Sequence, residues 1–134
     1  MSEYLLDTWA WIEFYIGSEK GKKIYSILKS DKKCYTSIIS IAELSDNFHS
    51  NNLKTDHRWT EIRDFIESNS TVLSLNTDIG SEAGIIKTKQ REKFSDFGLM
   101  DAIILSTARE HGLKIITGDK HLKDKEKTEK LEEI

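Results

Sequence analysis

Four acidic residues lie at similar places in the chain, each at the end of an apolar segment or near the start of the helix that follows one. Asp7 ends the segment YLLD, and Asp119 ends the segment KIITGD. Glu43 lies in the segment SIAEL after the strand-like segment CYT, and Asp101 lies near the start of the apolar segment LMDAIILSTA. In open α/β sheets, ligands bind at the carboxyl ends of the strands, because loops and helix N-termini converge there. The pattern therefore predicts that the four carboxylates gather at one edge of a sheet.

A cluster of carboxylates favours a metal site. Carboxylates in one cleft repel each other unless a hard cation such as Mg²⁺ or Mn²⁺ neutralises them, and such cations prefer oxygen ligands. Each acid also has a structural explanation, since Asp is a common helix cap and Glu is common on solvated helix faces. Taken alone, Glu43 is better explained as an ordinary residue of a solvated helix face. Asp101 lies on a helix that is apolar on nearly every face, where a charge needs a partner.

Apolar segments and helical segments alternate along the chain. We expect strands at residues 4–7, 33–36, 71–75 and 113–117, and helices at about residues 8–16, 18–29, 38–49, 57–68, 77–92 and 99–111. Strands separated by helices pair in parallel through crossovers, with helices covering both faces of the sheet. The expected fold is thus a three-layer α/β/α domain with a central parallel sheet. The charge-rich residues 120–134 are expected to be helical or frayed.

Size and composition exclude several classes of protein. The chain of 134 residues suits one domain spanning residues 1–134, and its net charge of −3 with 32% charged residues is typical of a soluble surface. No apolar run spans a bilayer and no signal peptide is recognisable, so we expect a cytoplasmic protein. Cys34, the single cysteine, is expected to be a small core residue. Zinc-binding spacings and glycine-rich phosphate loops are absent from the sequence.

With these segments assembled, the chain resembles the PIN-domain nucleases, and most closely the small VapC-type toxins. The resemblance rests on LDT at the first strand, SIAEL on an early helix, DAIILSTA followed by HGL, and TGD. It implies a parallel-sheet PIN fold, a metal-dependent endoribonuclease that uses Mg²⁺ or Mn²⁺, a homodimer, and a small antitoxin protein as partner. Asp7, Glu43, Asp101 and Asp119 match the acidic quartet of the family, and Thr117 matches its accompanying hydroxyl.

Two further features bear on substrate and assembly. The basic stretch Lys87, Lys89, Arg91 and Lys93 is able to contact RNA phosphates, although lysines at a helix end are usually only solvated. The first helix carries Trp9, Trp11, Phe14 and Tyr15, which are too many aromatic residues for one buried face, so a two-fold dimer is expected to cover some of them unless the second helix does.

Other functions are compatible with parts of the pattern. An aspartyl phosphatase also places an acid after its first strand, but it usually needs a second acid two residues later, where this chain has Trp9. A housekeeping RNA-processing nuclease and a binding module with a degenerate metal site remain as alternatives within the fold. Asp96, five residues before Asp101, is a candidate extension of the metal site or a loop acid.

Overall fold

The computed structural model describes residues 3–118 and the backbone of residues 128–129. Six helices and five strands lie in these residues. In chain order they are β1 Glu3–Leu6, α1 Thr8–Ile16, α2 Glu19–Lys29, β2 Lys33–Ser37, α3 Ile38–His49, α4 Trp59–Asn69, β3 Thr71–Leu73, α5 Thr77–Gln90, α6 Leu99–His111, β4 Lys114–Ile116 and β5 Thr128–Glu129. The helices and the first four strands lie where the sequence predicts them, with ends that differ by a few residues.

The strands form one sheet in the order β3-β2-β1-β4-β5, and every neighbouring pair is parallel. Strand β1 lies at the centre, with Leu6 in register with Thr36 of β2 and with Ile116 of β4. Successive side chains of a strand point to opposite faces. Accordingly Leu6 packs into a core with α1 to α4, whereas Leu5 packs into a second core with α5 and α6. The expected three-layer α/β/α fold with a parallel sheet is confirmed.

The aromatic residues of α1 are largely covered within one chain. Trp11 is fully buried, and the Phe14 ring stacks on Phe65 of α4 with centroids 5.1 Å apart. The Tyr15 hydroxyl donates to the carbonyl oxygen of Ile62, also on α4, at 3.4 Å. Helix α4 therefore covers more of this surface than the sequence suggests, so the aromatic pattern no longer argues for a dimer. The dimer stays a prediction from the resemblance.

The contact between α1 and α2 depends on a glycine, which has no side chain. Gly21 is buried in α2, and a Cβ atom there would overlap the backbone carbonyl of Glu13 in α1. The two helices can thus approach each other closely. This approach packs the C-terminal half of α1 against α2.

Three details refine the predictions. Strand β3 ends at Leu73, two residues earlier than expected. The tail that was expected to be helical or frayed contributes the short strand β5, which pairs with β4 through backbone groups. Cys34 is buried as expected, and burial raises the pKa of its thiol to about 11. Among the described residues, none of the helices combines the length and apolar character needed to cross a membrane.

Candidate functional site

Asp7 lies where the central strand ends and α1 begins. Its side chain is only 4% exposed, and its Oδ1 accepts a hydrogen bond from the Ala10 amide at 2.9 Å, which caps the helix. Its own amide donates to the Ile116 carbonyl at 3.4 Å, so the ends of β1 and β4 lie side by side. Thr117, the residue after Ile116, is buried at this same edge. Asp7 therefore caps α1, as expected of an Asp at a helix start, and it also lies at the carboxyl edge of the sheet.

Glu43 reaches the same edge from α3. This helix begins directly after β2, where the Ser37 hydroxyl accepts a hydrogen bond from the Ile39 amide and caps it. Glu43 lies about a turn and a half into the helix and is half-buried. Its Oε1 accepts a hydrogen bond from the Thr8 hydroxyl at 2.5 Å. The contact joins α1 to α3 across 35 positions of sequence and holds the carboxylate beside the residue that follows Asp7.

Asp101 lies in the first turn of α6 and is half-buried. Its Oδ2 accepts a hydrogen bond from the Gly98 amide at 3.3 Å, which orients the side chain toward the start of the helix. Every residue from Ala102 to Ala108 is buried. The acid is therefore held at the one end of α6 that reaches the carboxyl edge of the sheet.

These three carboxylates line one small cavity of about 70 Å³. Of the predicted quartet, the structure thus brings together Asp7, Glu43 and Asp101. Asp119 lies outside the described residues. Asp96 is exposed in the loop before α6, and in the described part of the chain the wall of this cavity does not include it.

The remaining wall of the cavity was not predicted. Within residues 3–118 it includes Thr8, Trp9, Met100 and Ile104. Thr8 follows the acid at the strand end, so its place in sequence was a usable signal. The apolar residues gave no such signal, because their types are equally typical of a core position.

A close backbone approach shapes the side of the cavity near β4. A Cβ atom at Gly118 would overlap the indole ring of Trp9. The chain leaving β4 therefore passes directly against a residue of the cavity wall. The glycine of the TGD segment is explained by this contact and not by a turn.

The donor set fits a hard divalent cation in kind and in place. Three carboxylates supply only oxygen ligands, which Mg²⁺ and Mn²⁺ prefer. Within residues 3–118, however, His, Cys, Asp and Glu side chains form no group of three already arranged to hold an ion. Mg²⁺ usually keeps several of its waters and is bound through one or two carboxylates, so it does not require a closed protein cage. An open set of acids around a cavity that admits water is compatible with this mode of binding.

The fold and the acid-lined cavity define the class: an α/β/α protein whose acids face the carboxyl edge of a parallel sheet. The family model for the PIN domain matches residues 4–128. Because the match spans most of the chain, the protein belongs to the PIN-domain family. Comparison by sequence with curated proteins gives no match.

Solved structures that share this fold include toxin–antitoxin complexes and a toxin. A toxin–antitoxin complex from Klebsiella pneumoniae superposes with a TM-score of 0.70 at 20% identity, covering 91% of each chain. The DNA-bound VapBC complex from Salmonella typhimurium also gives 0.70 at 20% identity, covering 96% of each chain. VapC20 from Mycobacterium tuberculosis, a toxin that cleaves the sarcin–ricin loop, gives 0.68 at 15% identity, covering 87% of this chain and 92% of that one. At such identities the likeness concerns the fold.

Proposed function

We propose that this PIN-domain protein is a metal-dependent endoribonuclease that cleaves RNA phosphodiester bonds, and that it is the toxin of a type II toxin–antitoxin pair. The observation that carries the proposal is the cavity at the carboxyl edge of the sheet, which Asp7, Glu43 and Asp101 line together. Acids gathered in this way suit a reaction that needs a cation and no side-chain nucleophile. The fold shared with toxin–antitoxin proteins supports the biological role.

Asp7 and Asp101 would hold Mg²⁺ or Mn²⁺ directly, and Glu43 and Asp119 would complete the site through waters or a second ion. When bound, the cation neutralises the repulsion between the phosphodiester and the acids, activates water and stabilises charge developing on the transferred phosphoryl group. Thr117, a buried hydroxyl at the same edge, would assist the four acids in the site.

The chain's own contribution is to hold the acids in place. The cap at Ala10 fixes Asp7, the Thr8 hydroxyl fixes Glu43, and the Gly98 amide fixes Asp101. Positioning of this kind lowers the barrier because no reorganisation is needed when charge develops. The apolar side chains of the cavity wall restrict water to a small volume, which strengthens electrostatic interactions inside it.

The test is a cleavage assay on labelled single-stranded RNA with purified protein. Cleavage should require Mg²⁺ or Mn²⁺ and stop in EDTA. Asp101→Asn removes one charge and keeps an oxygen that can accept from the Gly98 amide, so it should lower the rate at least about a hundredfold without unfolding the protein. Asp64→Asn is the matched control, because Asp64 is exposed on α4, and it should cleave at the native rate.

Cleavage that continued in EDTA and in the Asp101→Asn protein would refute the metal mechanism. A circular dichroism melt of each variant, compared with that of the native protein, separates loss of chemistry from loss of fold. Activity that fell equally in the Asp64→Asn control would point to a general effect of charge and not to the site.

The toxin role needs a separate experiment, because a housekeeping RNA-processing nuclease would pass the cleavage assay. Expression of the native protein alone should arrest growth, and co-expression of a small neighbouring gene should restore it. Asp101→Asn should be harmless under the same promoter. A native protein that cleaves RNA and leaves growth unchanged would favour the housekeeping function.

We also propose that the protein acts as a homodimer in the cytoplasm. Light scattering should give twice the mass of one chain at micromolar concentration. The mass of a single chain, measured on active enzyme, would exclude the dimer as a requirement for function.

A further inference from the structure

A basic segment precedes α6, the helix that carries Asp101. Its cations alternate over the end of α5 and the turn that follows: Lys87, Lys89, Arg91 and Lys93. Within residues 87–96 they outnumber the two acids, Glu92 and Asp96. In the part of the chain that the structure describes, the lysines of this segment form no ion pair. Lys89 and Lys93 are exposed and Lys87 is partly exposed, so these cations are accessible to solvent.

Hydrogen bonds hold the turn after α5. Phe94 donates its amide to Gln90 at 2.8 Å, and Phe97 donates its amide to Phe94 at 3.0 Å. The Arg91 Nε donates to the Phe97 carbonyl at 2.5 Å, and the Phe97 side chain is fully buried in the second core. Arg91 thus stabilises the turn, and the two ends of the segment are fixed to the body of the protein.

The two phenylalanines of the turn have opposite environments. Phe97 is 0% exposed, whereas Phe94 is 36% exposed although it lies between the same anchored ends. Met100, a wall residue of the acidic cavity, is 45% exposed and lies six positions further along the chain. The exposed aromatic ring and the exposed cations therefore lie on the segment of chain that runs into the cavity wall at Met100.

Ordinary helix stabilisation explains only part of this arrangement. Cations in the last turn of a helix interact favourably with its dipole, which accounts for Lys87 and Lys89. Lys93 and Phe94 lie beyond the end of α5, where this explanation does not apply. Alternating cations with an exposed aromatic ring are the combination that binds single-stranded nucleic acid, since lysines contact phosphates and a ring stacks on a base.

We propose that Lys87, Lys89, Lys93 and Phe94, here called the basic rim, bind the single-stranded RNA substrate beside the acidic cavity. Phe94 stacks on an unpaired base, and the lysines contact the phosphates that flank the bond to be cut. The proposal rests on the endoribonuclease function proposed above. It adds a reason why a chain with a net charge of −3 can hold a polyanion next to three carboxylates.

The experiment measures binding separately from cleavage. Fluorescence anisotropy of a labelled single-stranded RNA of about 12 nucleotides is recorded in EDTA over a series of salt concentrations. Lys89→Gln with Lys93→Gln should raise Kd and reduce the salt slope of log K by about 1.4, which is about 0.7 for each lost phosphate contact. Lys32→Gln with Lys33→Gln is the control, because it removes the same charge at the opposite end of the sheet.

Phe94 needs variants that separate stacking from folding. Phe94→Leu keeps apolar bulk and loses the ring, so it should raise Kd about fivefold to a hundredfold. Phe94→Trp keeps a stacking surface and should bind within about twofold of the native protein. Double-stranded RNA of the same length should compete poorly, because its bases are not available for stacking.

The outcomes distinguish this proposal from the function on which it rests. If the native protein cleaves RNA while the basic-rim variants keep native Kd and salt slope, the basic rim is refuted and the endoribonuclease stands. Equal losses in the Lys32 and Lys33 control, or equal competition by double-stranded RNA, also refute it. A native protein that neither binds nor cleaves RNA refutes both.

Discussion

The hydrogen bond between Thr8 and Glu43 is expected to stabilise the fold and orient the site together. Thr8→Val removes the hydroxyl and keeps the shape of the side chain. Threonine and valine have similar helix propensities, so the first turn of α1 should not lose intrinsic stability. The change therefore isolates the donor that holds Glu43 Oε1 at 2.5 Å.

The expected cost follows from the charge and the burial of the pair. A hydrogen bond to a charged group contributes about 1.5 to 3 kcal/mol, and solvent partly replaces it where the groups are half-buried, as both are here. We expect the free energy of unfolding to fall by about 1.5 kcal/mol. For a chain of this length the melting temperature should fall by about 5 °C. If Glu43 acts in the site, cleavage should fall about 10-fold to 100-fold, as it does when a residue orienting a metal ligand is lost.

Urea unfolding of four proteins measures the coupling: native, Thr8→Val, Glu43→Gln and the double variant. Glutamine keeps the length of the side chain and accepts only a neutral hydrogen bond, so the coupling free energy should be about 1 kcal/mol. Thr60→Val is the control, since Thr60 is exposed on α4, and it should change stability by less than about 0.5 kcal/mol. Costs that add to within about 0.3 kcal/mol would refute the interaction.

Three other perturbations test separate parts of the site and the core. Asp7→Asn keeps the cap of α1 and should stay within about 0.5 kcal/mol of native stability, whereas Asp7→Ala should lose about 1 kcal/mol in urea unfolding, and both should abolish cleavage; equal stability of the two would show that the cap contributes nothing. Gly118→Ala should cost about 1 to 3 kcal/mol by clashing with the Trp9 ring, and a smaller cost in a Trp9→Leu background would identify that ring as the cause. Burial raises the pKa of Cys34 from its ordinary 9.0 to about 11, so at pH 8 the native protein should carry about a hundredfold less thiolate at this position than an exposed cysteine would. Cys34 should therefore react slowly with iodoacetamide, and rapid labelling without unfolding would contradict its burial. Burial favours the protonated Cys34 thiol in the folded protein. Its contribution to the free energy of unfolding is therefore fully present below pH 9 and is lost as the pH rises toward 11.

The sequence predicted the elements and the meeting of three acids for a simple physical reason. Apolar segments bounded by polar residues mark buried strands, and parallel strands have their carboxyl ends at one edge. Asp7 and Glu43 therefore meet once β1 and β2 are neighbours, which the register of Leu6 with Thr36 shows. The strand order itself carries no local signal in the chain.

The contacts that tune the site could not be predicted in the same way. The bond from Thr8 to Glu43 depends on how α1 packs against α3, and the overlap of Gly118 with Trp9 depends on the path of the chain after β4. Both are long-range contacts between residues whose types suit many environments. Strand β5 was missed because Thr128–Glu129 pairs through its backbone and lies in a segment with no apolar pattern.

The fold also lowers the cost of placing carboxylates together before any cation binds. Asp7 caps α1 and Asp101 lies in the first turn of α6, so both acids lie at helix N-termini, where the helix dipole is positive. Each such placement stabilises a carboxylate by about 0.3 to 1 kcal/mol at the surface, and by up to about 2 kcal/mol where the group is partly buried. Glu43 lies deeper in its helix and lacks this contribution, and it receives a hydroxyl donor instead. Under the proposed function, a cation would have to offset only the repulsion that these contacts leave.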